Sequence, residues 1–444
     1  MKRTAALLLV IALLFSAASC RASRRSVSSG SEPVSSDVSS IESLEPEVSS
    51  LPPESTVSTE NKAVTKGEVS KSNEKKKEEP ASKTVASDGL PVFGENTHCY
   101  NALTADQKTL YKGIVKAAEN LTLEVDSPKL PKDNDYLNVL SAVRMDHPEI
   151  FWLDSKITIG TRGEKEAWIV LSYRLNTVDI SPKSSTDDKN KGIAEINDKN
   201  KQIKQVRENF FSGITENMGA YERERILHDR LVLHCRYNTD ALQKPENHPN
   251  AWTIYGALVE KTAVCEGYAM AMRYLLSYAG IESILVCGNA YDANRVPQLH
   301  MWNQVKLSDG WYHLDVTWND PVGMSDSFIS YVYFNLTSLE ISADHKIEDN
   351  VAAIQNCTAT GFNYFKRENL LFASVDAAAG KRIREALTAA LNAKAKSFHM
   401  RCDGADFKTF CDDALTLAAE TVKTGSGIHY TKNEDYKVIS LYFD

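Results

Sequence analysis

Cys265, His300 and Asp315 follow one another, in that order, along one stretch of this 444-residue chain. A thiol, an imidazole and a carboxylate are the side chains of a nucleophile, its base and the group that orients the base. Cys265 opens the run "CEGYAMAMRYLLSYAG", in which Met270, Tyr274, Leu275 and Tyr278 recur at helical spacing. The cysteine therefore falls at or near a helix N-terminus, where backbone N–H groups and the positive dipole end favour a thiolate. Gly267 lets another backbone approach closely beside it. His300 and Asp315 belong to "LHMWNQVKLSDGWYHLDVTWND", two strand-like runs around Asp309-Gly310, a strong hairpin signal. A simple turn there pairs Gln304 with Asp315. His300 then shares a face with Asp315 but lies further along, so direct contact requires a bulge or a shifted register.

Taken alone, a cysteine ahead of an apolar helix reads as a buried core thiol. The ordered imidazole and carboxylate are what turn Cys265 into a candidate nucleophile. His313, two residues before Asp315, is the rival base. Cys235 and Cys287 read as structural thiols, and Trp302, Trp311 and Trp318 as packing residues. His228-Asp229 and Asp344-His345 read as solvated or capping pairs. There is no CxxC pair and no HExxH, so the sequence implies neither a metal nor a cofactor.

The run "AVCEGYAMAMRYLLSYAGIES" followed by "HMWNQVKLSDGWYHLDVTWNDP" resembles the core of the transglutaminase-like superfamily, papain-like enzymes with the order Cys, His, Asp. The upstream "WTIYGALVEKTAVC", the downstream "YVYFNLTSLEISADH" and the N-terminal "HPEIFWLD" are similar to segments of bacterial extracellular members. This resemblance implies Cys265 as nucleophile, His300 as base and Asp315 as its orienting carboxylate. It implies attack on an amide carbonyl and a thioester intermediate. Water as acceptor gives a peptidase or amidase, the outcome favoured here, and an amine gives cross-linking. Tyr255 is a candidate second oxyanion donor. The alternative is a non-catalytic binding or structural module built on the same fold.

The implied fold is α+β, a core with a helix-borne cysteine and an antiparallel sheet over 219–350. An N-terminal α/β lobe (90–218) and a C-terminal α/β lobe (360–444) flank it. Within them, "LTADQKTLYKGIVKAAENL" carries a capping box at Thr104 and Gln107, and Leu110, Ile114 and Ala118 mark one helical face. The tail alternates helix 376–393, strand "SFHMRC", helix 406–421 and strand "YKVISLYF".

Residues 1–20 have the layout of a lipoprotein-type signal: Lys2 and Arg3, an apolar run from Thr4 to Phe15, then small residues before Cys20. A lipid on Cys20 would hold the chain on the outer face of the cell membrane. Residues 21–89 are rich in Ser, Pro, Glu and Lys and lack aromatics, the composition of a disordered tether. The eight cysteines are scattered rather than spaced as a disulfide scaffold. Net charge is −8 and no basic stripe interleaves with aromatics, which argues against nucleic acid as a partner. The expected partner is a peptide or protein substrate, including cell-wall or surface protein.

Overall fold

A computed structural model of the chain describes residues 98–443, apart from 163–165, 182, 216, 293–294, 349–353 and 423–427. The signal and tether therefore lie outside the described residues. The described chain divides into two compact units, one ending at Asn369 and one beginning at Leu370. Helices and mostly antiparallel sheets make the architecture α+β.

In the first unit, α1 (His98–Ala102), α2 (Ala105–Glu119) and α3 (Asp133–Asp146) accompany a sheet of β1 (Glu124–Pro128), β2 (Leu153–Arg162) and β3 (Glu166–Tyr173) in the order β1-β3-β2. The capping box of α2 forms as its sequence implies. Thr104 Oγ1 accepts from the Gln107 amide and Gln107 Oε1 from the Thr104 amide. Leu110, Ile114 and Ala118 line its buried face. Asp146, at the end of α3, accepts from the Cys99 and Tyr100 amides and the Tyr111 hydroxyl, fastening α1 to α2 and α3.

The long polar α4 (Thr186–Phe210), α5 (Ala220–His234), β4 (Arg236–Tyr237) and α6 (Thr239–Gln243) lead to β5 (Thr262–Ala263) and α7 (Cys265–Tyr278). Most amphipathic helices bury one stripe, but α7 is buried from Cys265 through Leu276, charged Glu266 and Arg273 included. It packs on β6 (Ser283–Tyr291) and β7 (Pro297–Leu307). With β8 (Gly310–Leu314) and β9 (His345–Ile347), which follows α8 (Ser338–Ile341), these form an antiparallel sheet in the order β8-β7-β6-β9. The short α9 (Tyr364–Arg367) closes the unit.

The hairpin forms where Asp309-Gly310 places it, but the register differs from the simple-turn expectation. Leu307 pairs with Gly310, Gln304 with His313 and Asn303 with Leu314. The two-residue loop is Ser308-Asp309 rather than Asp309-Gly310, one residue earlier, so Asp315 lies two positions nearer His300 than a Gln304–Asp315 pairing would put it.

The second unit contains β10 (Leu371–Phe372), α10 (Ala377–Asn392), β11 (Ser397–Cys402), α11 (Phe407–Thr421), β12 (His429–Asn433) and β13 (Val438–Tyr442). Its sheet runs β10-β11-β13-β12. The seven described cysteines are all free thiols, Cys402 and Cys411 included. Among the described residues, no helix is long and apolar enough to cross a membrane.

Candidate active site

Three elements of the first unit deliver the predicted residues to one place. Cys265 is the first residue of α7, after an extended Val264 that caps the helix without a side-chain hydrogen bond. The first N–H groups of a helix have no acceptor within it and form an electropositive end beside this sulfur. Gly267 makes the approach possible. A Cβ there would lie 2.5 Å from the Ala251 carbonyl oxygen and 2.8 Å from the Ala263 Cβ.

His300 projects from β7 and Asp315 follows directly on β8. In the observed register they are diagonal neighbours on one face of the ladder, within reach of two medium-length side chains. His300 Nε2–H donates to Asp315 Oδ2 at 2.7 Å. The Cys265 thiol lies close enough to the same imidazole to raise its basicity. With Nε2 engaged by Asp315, Nδ1 is the ring nitrogen left for sulfur. The structure thus joins all three residues, Cys265 to His300 to Asp315. All three are buried, Cys265 at 1 % and His300 at 5 % exposure.

The electrostatics follow from that burial. Desolvation alone would lower the basicity of His300. The Asp315 carboxylate, with its hydrogen bond and with Cys265 beside the ring, raises it instead to about 10. Burial opposes ionisation of Asp315, yet His300 and His345 hold its carboxyl well below the usual range. Glu266, next to Cys265, is pushed upward by burial against the pull of Arg144, whose Nη2 lies 2.7 Å from Oε1.

His313 does not share this site. Its Nδ1 accepts from the Trp302 indole N–H at 2.9 Å and Nε2 faces Gln304 and Ser338. Burial, then the charge of His345, lowers its basicity to about 3. Tyr255 is turned elsewhere: its hydroxyl donates to Gln202 Oε1 on α4, and its ring stacks on Phe151. The tryptophans do pack, and two of them pack the imidazole. Trp302 stacks on His300 at 5.9 Å and Trp318 lies 5.7 Å from it.

Two sequence expectations need correction. His228, read as solvated or capping, is fully buried. It faces its neighbour Asp229 at 2.9 Å and Asn319 at 3.0 Å. Asp344-His345 is buried as well, and His345 Nε2–H donates to Asp315 Oδ2 at 3.1 Å. The sequence signal was an adjacent acid and imidazole, without an indication of its destination. Nitrogen atoms of His300 and His345 and an oxygen of Asp315 lie within 4.8 Å of one another, the grouping among the described residues that could hold a metal ion. Here both ring N–H groups are spent on the one carboxylate oxygen.

A cavity of about 590 Å³ lined by Tyr291, Arg295, Ile341, His345, Lys346 and Ile347, among others, reaches His345 from the β9 side. Cys265 does not line it.

Residues 206–316 match the model of the transglutaminase-like superfamily, a span that contains Cys265 and His300 and closes one residue after Asp315. A solved structure described as "Crystal structure of a TGase" is similar at 12% identity, over 46% of this chain and 52% of that one, with a TM-score of 0.26. The chain thus matches about half the length of that protein. The search of curated proteins returned no match. The chain is α+β, and its residues 206–316 are similar to the transglutaminase-like superfamily.

Proposed function

We propose that this protein is a cysteine enzyme that acts on amide bonds of peptide or protein substrates through Cys265, His300 and Asp315. The observation that carries the reading is the placement of Cys265 at the start of α7 beside His300, whose imidazole is hydrogen-bonded to Asp315. In this reading the thiol proton already rests on Nδ1 of His300, whose raised basicity keeps the ring an imidazolium at neutral pH, and the Cys265 thiolate attacks the amide carbonyl. Backbone N–H groups at the start of α7 hold the oxyanion. The C–N bond breaks as His300 returns its proton to the leaving amine, which leaves a thioester on Cys265. Water, deprotonated by His300, then releases the acid and restores the thiol. We favour water over an amine as acceptor. The lipoprotein-type signal ending at Cys20 and the tether over 21–89 support a location on the outer face of the cell membrane, with cell-wall or surface protein as substrate.

The burial of Cys265 favours a second reading, a binding module that keeps the fold without turnover. Thiol labelling with a peptide-library cleavage and amine-incorporation screen separates them. Wild type should label at Cys265 and turn over substrate. Cys265→Ser should lose both, and His300→Ala should lose turnover by at least about a thousandfold. Equal inertness of wild type and Cys265→Ser across the panel, with no labelling, supports the binding module.

A further inference from the structure

Asp315 carries more than one imidazole. Its Oδ2 accepts from Nε2–H of His300 at 2.7 Å and from Nε2–H of His345 at 3.1 Å, while Oδ1 accepts from the Trp318 amide at 3.1 Å. On the far side of His345, Nδ1 lies 2.6 Å from Asp344 Oδ1, and Asp344 Oδ2 accepts from the Tyr333 hydroxyl at 2.8 Å. The series therefore continues through His345 to Asp344 and Tyr333. These side chains are at most 6 % exposed, and water does not compete for their hydrogen bonds.

A carboxylate can only accept. Both ring nitrogens of His345 face carboxylate oxygens, so a proton must lie in each contact, one toward Asp315 and one toward Asp344. Asp344 thereby fixes the His345 ring in the orientation that donates to Asp315. Three donors then bind Asp315 from three places in the chain, and its carboxylate cannot rotate away from His300.

We propose that His345 is a positioning residue for the nucleophile, acting through Asp315 on His300, with Asp344 as the anchor of its ring. The proposal rests on the Cys265-His300-Asp315 reading. Ring packing adds to it, since His345 lies 5.4 Å from His300, 5.0 Å from Trp302 and 4.7 Å from Trp318. Trp302 also connects to His313. The titratable groups around His345 include His300, His313, Asp315, Tyr333 and Asp344, and Tyr291, Arg295 and Lys346 line with it the cavity on its β9 side.

The test measures alkylation of Cys265 by iodoacetamide from pH 5 to 10.5, in the full chain, with folding checked by circular dichroism. His345→Phe keeps an aromatic body and removes both N–H groups. It should slow alkylation at pH 7 on the order of tenfold and move the midpoint of the pH profile upward. His345→Gln, which can still donate to Asp315, should recover most of the rate. Asp344→Asn should shift the profile in the same direction by less. A folded His345→Phe with the wild-type profile overturns the proposal. If that variant does not fold, a wild-type profile in Asp344→Asn overturns it equally. His300→Ala separates the two layers. If it leaves the profile unchanged, the underlying reading fails; if it changes the profile and His345→Phe does not, only the role of His345 fails.

Discussion

His300 sits between opposing electrostatic demands, and their balance predicts how the protein responds to pH. Burial disfavours its charged form, while Asp315 and Cys265 favour it enough to raise the ring to about 10. A group whose basicity rises on folding contributes stability that is fully present below its unfolded value of about 6.5. That contribution is lost as pH rises through about 10. Asp315 has the opposite sign: its carboxyl is depressed, so its contribution is lost only under strong acid. Relative to His300→Gln, wild type should therefore gain stability in urea titrations at pH 6 and lose that advantage by pH 10.5. In the proposed mechanism the imidazolium protonates the leaving amine, so turnover should fall across the same alkaline limb. A limb near neutral pH would rule out the ion pair. Cys265, His300 and Asp315 were legible because each sits in a short stretch whose pattern also names its element. His345 was not. It lies thirty residues beyond Asp315, across an irregular segment with no period to follow, and an acid beside an imidazole is ordinary on a surface.

Strands and helices decide whether those residues meet, and there the sequence was a partial guide. Helical spacing after Cys265 located the start of α7, and Asp309-Gly310 located the hairpin. Register was harder, because alternation fixes which face a residue occupies and says nothing about a slip of two. Both pairings put His300 and Asp315 on one face; only the observed one brings them into contact. Glycine gives the test at this scale. In a helix interior, Gly→Ala ordinarily stabilises by up to about 1 kcal/mol. At Gly380 in α10 a new Cβ would meet its nearest neighbour at 3.9 Å, an ordinary contact. Gly380→Ala should therefore be neutral to stabilising. At Gly267 the same Cβ meets backbone oxygen at 2.5 Å, and overpacking costs about 1–3 kcal/mol. Gly267→Ala should then be destabilising on balance, by denaturant titration, and should slow Cys265 alkylation because the strain falls two residues from the sulfur. Opposite signs at the two glycines are the expected outcome; a stabilising change at Gly267 would mean that α7 does not need its close approach to residues 251–253.

The two units differ in how far composition and pattern could describe them. The helix–strand alternation of the tail was legible from its periodicity, and α10, β11, α11 and β13 lie where that pattern puts them. The outer strands β10 and β12 were not. One is two residues long, and "HYTKN" lacks the apolar alternation that marks a half-buried strand. Each unit nevertheless has a core of its own. In the second it includes Ile383, Leu387, Met400, Phe410, Ala414 and Leu441, all at most 2 % exposed. The hydrogen-bond partners described for His300, Asp315 and His345 all fall between Cys265 and Asp344, within the first unit. A core truncation in the second unit should therefore separate stability from reactivity. Phe410→Ala removes a buried ring that stacks on Phe372, and should cost about 3–5 kcal/mol of the unfolding free energy of its own unit. Below the temperature at which that unit melts, the rate and pH profile of Cys265 alkylation should stay at wild-type values. A changed profile in Phe410→Ala while the second unit is still folded would show that the reactivity of Cys265 depends on groups beyond Asn369, and that the series from Cys265 to Tyr333 is not sufficient to set it.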